Sequence, residues 1–238
     1  MPAAVWHLLR QVFALSNYIL KYARDERVKY ISHLDFVRLF HRAVRRTDLQ
    51  FMFSHGFNPH PIMTVALPLS VGVTADGEYM KIGLDGEYTE NYILTVLNGC
   101  LPPGYKILAV KRLEGKELDL TKIDRAVYTV ELESDSCPNL ESFMSNKELI
   151  VPKKSKSGIK DSDIRPYIYN IENIGRDSNS VILKMTLSAG SVYNLKPETV
   201  AEALKKYTGF EYGFIKCHRN SLLCGDIDYL QNSVSPDC

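Results

Sequence analysis

A repeated order of strand-like and helix-like segments is the feature that most constrains the fold of this chain. Short apolar runs with strand periodicity alternate with segments whose apolar residues recur at helical spacing. The predicted elements of the first half are strands at 18–22, 28–31, 49–54, 62–67, 78–84 and 105–112, and helices at 33–46 and 89–97. Strands and helices interleaved in this order predict a layered α+β sandwich.

The second half repeats the pattern with fewer strands. Its predicted elements are strands at 127–132, 148–151, 181–188 and 214–222, and helices at 138–146 and 196–207. The order predicts an α+β protein of two tandem ferredoxin-like α/β sandwich domains. The expected divisions are an N-terminal extension at 1–16, a first domain at 17–112, a linker at 113–125, a second domain at 126–222 and a tail at 223–238.

Composition limits the environment of the protein and its partners. The 238 residues carry a net charge of +1, so any affinity for nucleic acid must come from local clusters of basic residues. This balance argues against a general DNA-coating protein. The five cysteines are widely spaced and contain no CxxC pair, which is typical of a reducing, cytoplasmic setting. No apolar window reaches the roughly twenty residues of a membrane span, so no membrane partner is expected.

The predicted helix at 33–46 carries a basic face. Arg38, Arg42 and Arg45 follow one another at helical spacing, with His41 and Arg46 beside them. The opposite, apolar face comprises Leu34, Val37, Phe40 and Val44, with Phe36 and Ala43 beside it. Guanidinium groups match phosphate oxygens bidentately, so this arginine face predicts a phosphate-binding surface. A solvated helix face, or partners for acidic groups elsewhere in the fold, is the alternative interpretation.

The loop at 54–61 follows the arginine helix and is both polar and stiff. Gly56 permits positive φ, while Pro59 and Pro61 fix the backbone on either side of His60. The hydrogen-bonding and stacking groups of this loop are Ser54, His55, Phe57, Asn58 and His60. Asn58 and His60 are expected to contact nucleic acid, and Phe57 either stacks on a base or anchors the loop. A turn that satisfies its own backbone is the alternative.

Two histidines are candidates for acid–base chemistry, because imidazole titrates near neutrality. They are His33, at the start of the helix, and His60, in the loop. A metal site would need ligands beyond His55 and His60 that the sequence does not supply, so no metal is expected.

A second basic segment runs from Lys153 to Lys160 and includes Lys154 and Lys156. With Arg165 shortly after it, this segment predicts a loop that wraps a nucleic-acid backbone; an exposed hairpin is the alternative. A further basic group at Lys216, His218 and Arg219 is a possible extension of the same face.

Several motifs together resemble a known bacterial family, the radical SAM-linked proteins, whose common domain has unknown function. The matching segments are Tyr30-Ile-Ser-His-Leu-Asp35, the arginine helix, Phe53-Ser-His-Gly-Phe-Asn-Pro-His-Pro61, Ala66-Leu-Pro-Leu69, Gly72-Val73, Glu78-Tyr79, Lys153-Lys154 and Asp163-Ile-Arg-Pro166. The resemblance covers about residues 18–222. The chain departs from the family pattern in its N-terminal extension and at His55, where the family tends to have glutamine.

The resemblance implies a partner. The family domain is fused to, or encoded beside, a radical SAM protein with a cobalamin-binding region, often near genes for an E/G-type ribonuclease and ribosomal proteins. The chain has no CxxxCxxC motif to hold an iron–sulfur cluster. The resemblance therefore implies that the iron–sulfur cluster, SAM and cobalamin belong to the partner, and that this chain binds no cofactor directly.

These observations support three hypotheses about function. The favoured one is an RNA-binding or substrate-delivery module, not catalytic on its own, that acts with a radical SAM enzyme on ribosomal, transfer or other RNA. The second is a metal-independent RNA-processing endoribonuclease, because tandem ferredoxin-like domains with a histidine-bearing loop are similar in layout to the CRISPR-repeat endoribonucleases. The third is a protein–protein scaffold whose arginine face docks on the radical SAM partner.

Overall fold

The described part of the chain falls into two compact units. A computed structural model describes residues 15–113, 119–155, 158–190, 192–228 and 230. The first unit contains the described residues up to Pro68 together with those from Tyr79 to Leu113, and the second contains Leu69–Glu78 and the described residues from Asp119 onward. The short segment Leu69–Glu78 thus belongs with the second unit although it lies within the first half of the sequence.

The first unit has two helices against a sheet. Its elements in chain order are β1 (Leu15–Arg24), α1 (His33–Val44), β2 (Met63–Val65), β3 (Thr74–Asp85), α2 (Glu90–Cys100) and β4 (Tyr105–Leu113). In this unit the strand order is β4-β1-β3-β2, with β1 antiparallel to β4 and β2 antiparallel to β3. Only the part of β3 from Tyr79 onward belongs to this unit.

Helix α1 forms where its cap and its apolar spacing predict it. The Ser32 hydroxyl accepts a hydrogen bond from the Asp35 backbone N–H at 3.2 Å, which satisfies one free donor of the first turn. The buried face carries Phe36 and Phe40, and the Phe36 ring stacks on Tyr22 of β1 with centroids 5.2 Å apart. Leu34, predicted to lie on this face, is instead 65% exposed. The helix ends at Val44, two residues earlier than predicted, because Arg45 is its C-cap.

Two predicted strands of the first unit are absent from the described structure. Residues 28–31 form a turn, not a strand, because the buried Arg24 side chain binds its carbonyl groups. The Nη2 atom of Arg24 donates to the Val28 oxygen at 3.1 Å and to the Lys29 oxygen at 2.8 Å. Residues 49–54 form only isolated bridges, from Phe51 to Leu84 and from Phe53 to Pro61.

The second unit contains a larger antiparallel sheet. Its elements in chain order are β5 (Arg125–Glu133), α3 (Leu140–Ser145), β6 (Ile150–Ser155), β7 (Gly158–Asp163), β8 (Ile168–Asp177), β9 (Ser180–Ser188), α4 (Pro197–Thr208), β10 (Ile215–Cys224) and β11 (Ile227–Asp228). The sheet order is β10-β5-β9-β8, each neighbour antiparallel, and β11 pairs with β10. Thr74 and Ala75 of β3 pair in parallel with His218 and Arg219.

The second half differs from the prediction in three places. Strand β8 was not predicted, because it is exposed at most positions and two register shifts break its alternation. On either side of residues 156 and 157, which lie outside the described residues, β6 and β7 pair antiparallel, so the alternative of a hairpin is found instead of the predicted loop. Of the predicted linker, residues 114–118 lie outside the described residues, Leu120–Lys122 form a 3-10 helix, and Arg125 begins β5.

A buried ion pair lies in the second unit. Arg219 donates from Nε to Glu78 Oε1 at 2.6 Å and from Nη2 to Glu78 Oε2 at 2.5 Å. Arg219 is 2% exposed and Glu78 is 1% exposed. The prediction that Arg219 extends a basic surface is therefore wrong, because its guanidinium group is enclosed and neutralised.

No helix within the described residues is both long and apolar enough to cross a bilayer.

Candidate nucleic-acid interface

The four arginines of the arginine face have different partners. Arg38 pairs with Asp35, one turn earlier, at 3.3 Å from Nη1 to Oδ1. Arg46 donates from Nη2 to the backbone oxygen of Cys100 at the end of α2. Arg42 and Arg45 are both exposed, and their side chains make no hydrogen bond or ion pair with the residues that the structure describes. These two guanidinium groups are therefore the ones available to a ligand.

Arg42 lies in the last turn of α1, and Arg45 is its C-cap. The negative end of the helix dipole weakens the positive potential of these two side chains only in part. The C-terminal end of a helix carries about half a negative charge. Two guanidinium groups carry two positive charges, so the net potential at this end remains positive. The nearby carboxylate of Asp48 accepts a hydrogen bond from the Tyr92 hydroxyl. A phosphate approaching Arg42 and Arg45 therefore meets a net attraction.

The loop at 54–61 is held in one conformation at its base. The Ser54 N–H donates to the His60 carbonyl at 2.9 Å, and the His60 N–H donates to the Ser54 hydroxyl at 3.2 Å. The same hydroxyl shares a 2.9 Å hydrogen bond with His60 Nδ1. Gly56 has a φ of +131°, which residues with a side chain rarely adopt. These contacts fix the loop before any ligand arrives.

His41 joins the arginine helix to this loop. Its ring centroid lies 6.0 Å from that of His60 at an interplanar angle of 30°. Burial lowers the pKa of His41, and the neighbouring His60 and Arg45 lower it further. His41 Nε2 is buried without a hydrogen-bond partner among the described residues. Leaving such a polar atom buried and unpaired costs free energy, which disfavours the protonated imidazole further.

The other site residues predicted in the first unit lie in the 54–61 loop and at the start of α1. Asn58 and His55 are exposed in the loop, and Phe57 at its tip is completely exposed. His33 begins α1, so it lies eight residues, or about 12 Å along the helix axis, from His41. The structure therefore brings His60 together with His41 but leaves His33 at the other end of α1.

The basic residues of the second half are placed differently. Arg165 donates from Nε to the Met144 oxygen at 3.2 Å and from Nη1 to the Ile168 oxygen at 3.3 Å. Its donors thus support the fold around α3. The backbones of Lys153 and Lys154 lie in β6, paired with Lys160 and Ile159, while their side chains lie outside the description. Lys156 lies outside the described residues altogether.

One polar cluster could not be found from the sequence. His218 shares a 2.8 Å hydrogen bond between its Nδ1 and the Thr74 hydroxyl, and its Nε2 lies 3.3 Å from Asp76 Oδ2. Thr74, His218 and Asp76 come together because β3 and β10 pair in parallel. Thr74 is only 6% exposed, so its hydroxyl is poorly placed to attack a substrate and the cluster reads as a structural contact.

The fold and site define a mixed α+β protein with a basic helix end and a pre-formed polar loop. A family model described as "Uncharacterized protein conserved in bacteria (DUF2344)" matches residues 17–197. The match covers most of the chain, and the chain belongs to this family. No curated protein matches the chain.

Solved structures show distant likenesses. A chain of the "Crystal Structure of a Cbf5-Nop10-Gar1 Complex" is similar at 9% identity and a TM-score of 0.47, with 86% of this chain and 48% of that chain covered. A chain of the archaeal box H/ACA sRNP Nop10-Cbf5 complex has 10% identity and a TM-score of 0.43, with 85% and 46% covered. This chain therefore spans about half the length of both. An unknown protein from Galdieria sulphuraria has 14% identity and a TM-score of 0.26, with 86% and 98% covered.

Proposed function

We propose that this chain is a bacterial, cytoplasmic RNA-binding or substrate-delivery module that acts with a radical SAM enzyme in RNA or ribosome metabolism. The observation that carries the RNA-binding part is the pair of exposed guanidinium groups of Arg42 and Arg45 beside the histidine pair of His41 and His60. The radical SAM part rests on the motif resemblance described above. The iron–sulfur cluster, SAM and cobalamin, and the reaction that they support, would belong to the partner.

The geometry favours a phosphate ester as the ligand of this surface. Arginine forks bind phosphate oxygens through paired N–H donors, and each phosphate that is neutralised releases bound counterions. A bound phosphate beside His41 would also favour the protonated form of this imidazole, whose pKa is lowered in the free protein. Binding is therefore expected to weaken as salt or pH rises.

The double variant Arg42→Ala/Arg45→Ala is expected to bind single-stranded RNA about 10- to 100-fold more weakly at low salt. Both side chains are exposed, so the fold should remain intact. The slope of log K against log salt should become shallower by about 1.4, since each phosphate contact to a single strand contributes about 0.7. Fluorescence anisotropy with labelled RNA across a salt series measures both quantities.

The matched control is Lys106→Ala/Lys122→Ala, which removes two exposed positive charges outside this surface. It should change the RNA affinity by less than about threefold, because only phosphate-contacting charges enter the salt slope. Equal losses in the two double variants would mean that net charge, not this surface, attracts RNA. Absence of RNA binding by the wild-type protein at low salt would overturn the proposal.

A second candidate function is a metal-independent endoribonuclease, and the 6.0 Å approach of His41 and His60 is the observation that favours it. One imidazole would take the proton of a ribose 2′-hydroxyl as that oxygen attacks the phosphorus. The other would donate a proton to the departing 5′-oxygen, while Arg42 or Arg45 stabilises the pentacovalent phosphate. The products are a 2′,3′-cyclic phosphate and a 5′-hydroxyl.

Cleavage of cellular RNA to 2′,3′-cyclic phosphate ends would support this function. His60→Ala should then lower the rate at least about 100-fold, within the usual contribution of an acid–base group. His33→Ala, at the opposite end of α1 from His41, should leave it unchanged. If the wild-type protein binds RNA but never cleaves it, RNA binding or substrate delivery remains the proposed function.

We also propose that both units are ferredoxin-like sandwiches, built mainly from the predicted domains 17–112 and 126–222, with Leu69–Glu78 belonging to the second unit. The proposal is supported in the first unit by the order β-α-β-β-α-β and the sheet order β4-β1-β3-β2. In the second unit, β5, α3, β8, β9, α4 and β10 give the equivalent sheet order β10-β5-β9-β8 once the hairpin of β6 and β7 is treated as an insertion.

A further inference from the structure

We propose that the 54–61 loop binds an unpaired RNA base, which stacks on the ring of Phe57, so that the RNA bound at this site is single-stranded. This inference rests on the proposed RNA-binding function and adds the class of RNA to it. It uses a residue that the arginine face does not include.

Phe57 is more exposed than any other phenylalanine or tyrosine of the described structure. The residue has 106% of its reference accessibility, whereas Tyr30, the next most exposed phenylalanine or tyrosine, has 73%. A phenyl ring fully in water at a loop tip contributes nothing to a core and loses favourable burial. Covering a ring in this position with a flat apolar surface gains favourable free energy of burial, and a nucleobase offers such a surface.

The ring is presented by a fixed loop, which lowers the entropy cost of binding. The loop is closed by the hydrogen bond from the Ser54 N–H to the His60 carbonyl and by that from the His60 N–H to the Ser54 hydroxyl. The Phe53–Pro61 bridge continues the pairing at its base. The loop also touches the helix that carries Arg42 and Arg45, through His41 and His60. Base stacking and phosphate binding thus occur on one surface of the first unit.

The exposed groups next to Phe57 suit a base more than an apolar partner. Asn58, adjacent to the ring, offers one carbonyl oxygen and two N–H donors, and His55 offers two ring nitrogens. Both can bind the polar edge of a base whose face lies on Phe57. A duplex keeps its base faces stacked inside the helix, so only an unpaired or looped base can reach the ring.

The test compares three forms of one labelled RNA of about 12 nucleotides, a length within the range of known single-strand sites. The forms are the mixed-sequence single strand, the same strand annealed to its complement, and the strand with all of its bases removed. Phe57→Ala should weaken binding of the intact single strand about tenfold or more, as expected for the loss of one stacked base. It should leave binding of the duplex and the abasic strand nearly unchanged.

Phe57→Tyr keeps the stacking face and should bind within about twofold of wild type by the same stacking argument. Phe214→Ala, which removes a 61% exposed ring of the second unit, should have no effect. Equal weakening of all three RNA forms by Phe57→Ala, or no weakening of any, would overturn the inference. Loss of binding to the radical SAM partner with RNA affinity intact would overturn it too, because the ring would then be a protein contact.

The outcomes also separate this inference from the proposed function. If the wild-type protein binds none of the RNA forms, the proposed function itself fails. If it binds RNA through Arg42 and Arg45 while Phe57→Ala has no effect, only the stacking inference fails.

Discussion

Glu78→Ala is expected to destabilise the second unit by on the order of 3–5 kcal/mol, the usual cost of breaking a buried ion pair. Glu78 and Arg219 are almost fully enclosed and joined by two hydrogen bonds. Burial alone lowers the pKa of Arg219, but the interactions with Glu78 and, to a smaller extent, Tyr128 together outweigh burial, and the net pKa is raised. Removing the carboxylate therefore leaves a buried positive charge that cannot readily lose its proton.

The measurement is the urea midpoint followed by far-ultraviolet circular dichroism, with hydrogen exchange to locate the loss in the second unit. Asp226→Ala is a suitable control, since it removes the partner of Arg125 at an exposed position. Its effect should lie within about 1 kcal/mol, as is typical of surface pairs. The double variant Glu78→Leu/Arg219→Met should recover most of the stability lost in Glu78→Ala, because it removes both charges and fills a similar volume. If the urea midpoint of Glu78→Ala equals that of the wild type, the ion pair contributes nothing to the stability of the fold.

Local features of the chain were predicted well. The helix starts lie within one residue of those predicted: α1 begins at His33 after its N-cap Ser32, α2 at Glu90 after its N-cap Thr89, and α4 at Pro197. Each depends on residues within one or two turns of each other, and short-range hydrogen bonds and helical spacing determine them. The exposure of Arg42 and Arg45 follows in the same way, because it requires only the phase of the helix.

Features that depend on contacts across the sequence were not predictable. The 6.0 Å approach of His41 and His60 requires the loop to fold back on the helix, and nothing in either segment encodes that contact. Arg24 and Arg219 look like surface residues in sequence, but neighbouring carbonyl groups or a carboxylate make their burial favourable. Strand β8 escaped prediction because an exposed edge strand with register shifts has no regular alternation.

The same distinction applies to the candidate interface. The candidate phosphate-binding residues could be proposed from their spacing, but which of them are free to bind a ligand could not. Only the structure separates Arg42 and Arg45 from Arg38 and Arg46, whose guanidinium groups already bind Asp35 and the Cys100 oxygen. A substitution of Arg38 or Arg46 would therefore mix a loss of structure with a loss of binding, and Arg42 and Arg45 are the cleaner targets.

Gly77→Ala is expected to destabilise the protein by about 1–3 kcal/mol or more, the usual cost of overpacking. A Cβ atom at Gly77 would lie 2.2 Å from the Asn220 backbone oxygen and 2.5 Å from the Ser221 Cα. Both are backbone atoms of β10, so no side-chain rotation relieves the clash, and β3 and β10 must move apart where they pair in parallel. That movement would also disturb Glu78, the next residue, and its ion pair with Arg219.

The matched control is Gly99→Ala in α2, where a Cβ meets no atom within 4 Å. Alanine replaces glycine favourably inside a helix, so this variant should be stabilised by up to about 1 kcal/mol. The two urea midpoints should therefore shift in opposite directions for the same chemical change. If both variants shifted in the same direction by similar amounts, the close approach of β3 to β10 at Gly77 would not be what constrains this position. If Gly77→Ala lowered the midpoint but hydrogen exchange at Asn220 and Ser221 stayed at the wild-type rate, the strain would lie elsewhere than the paired backbones.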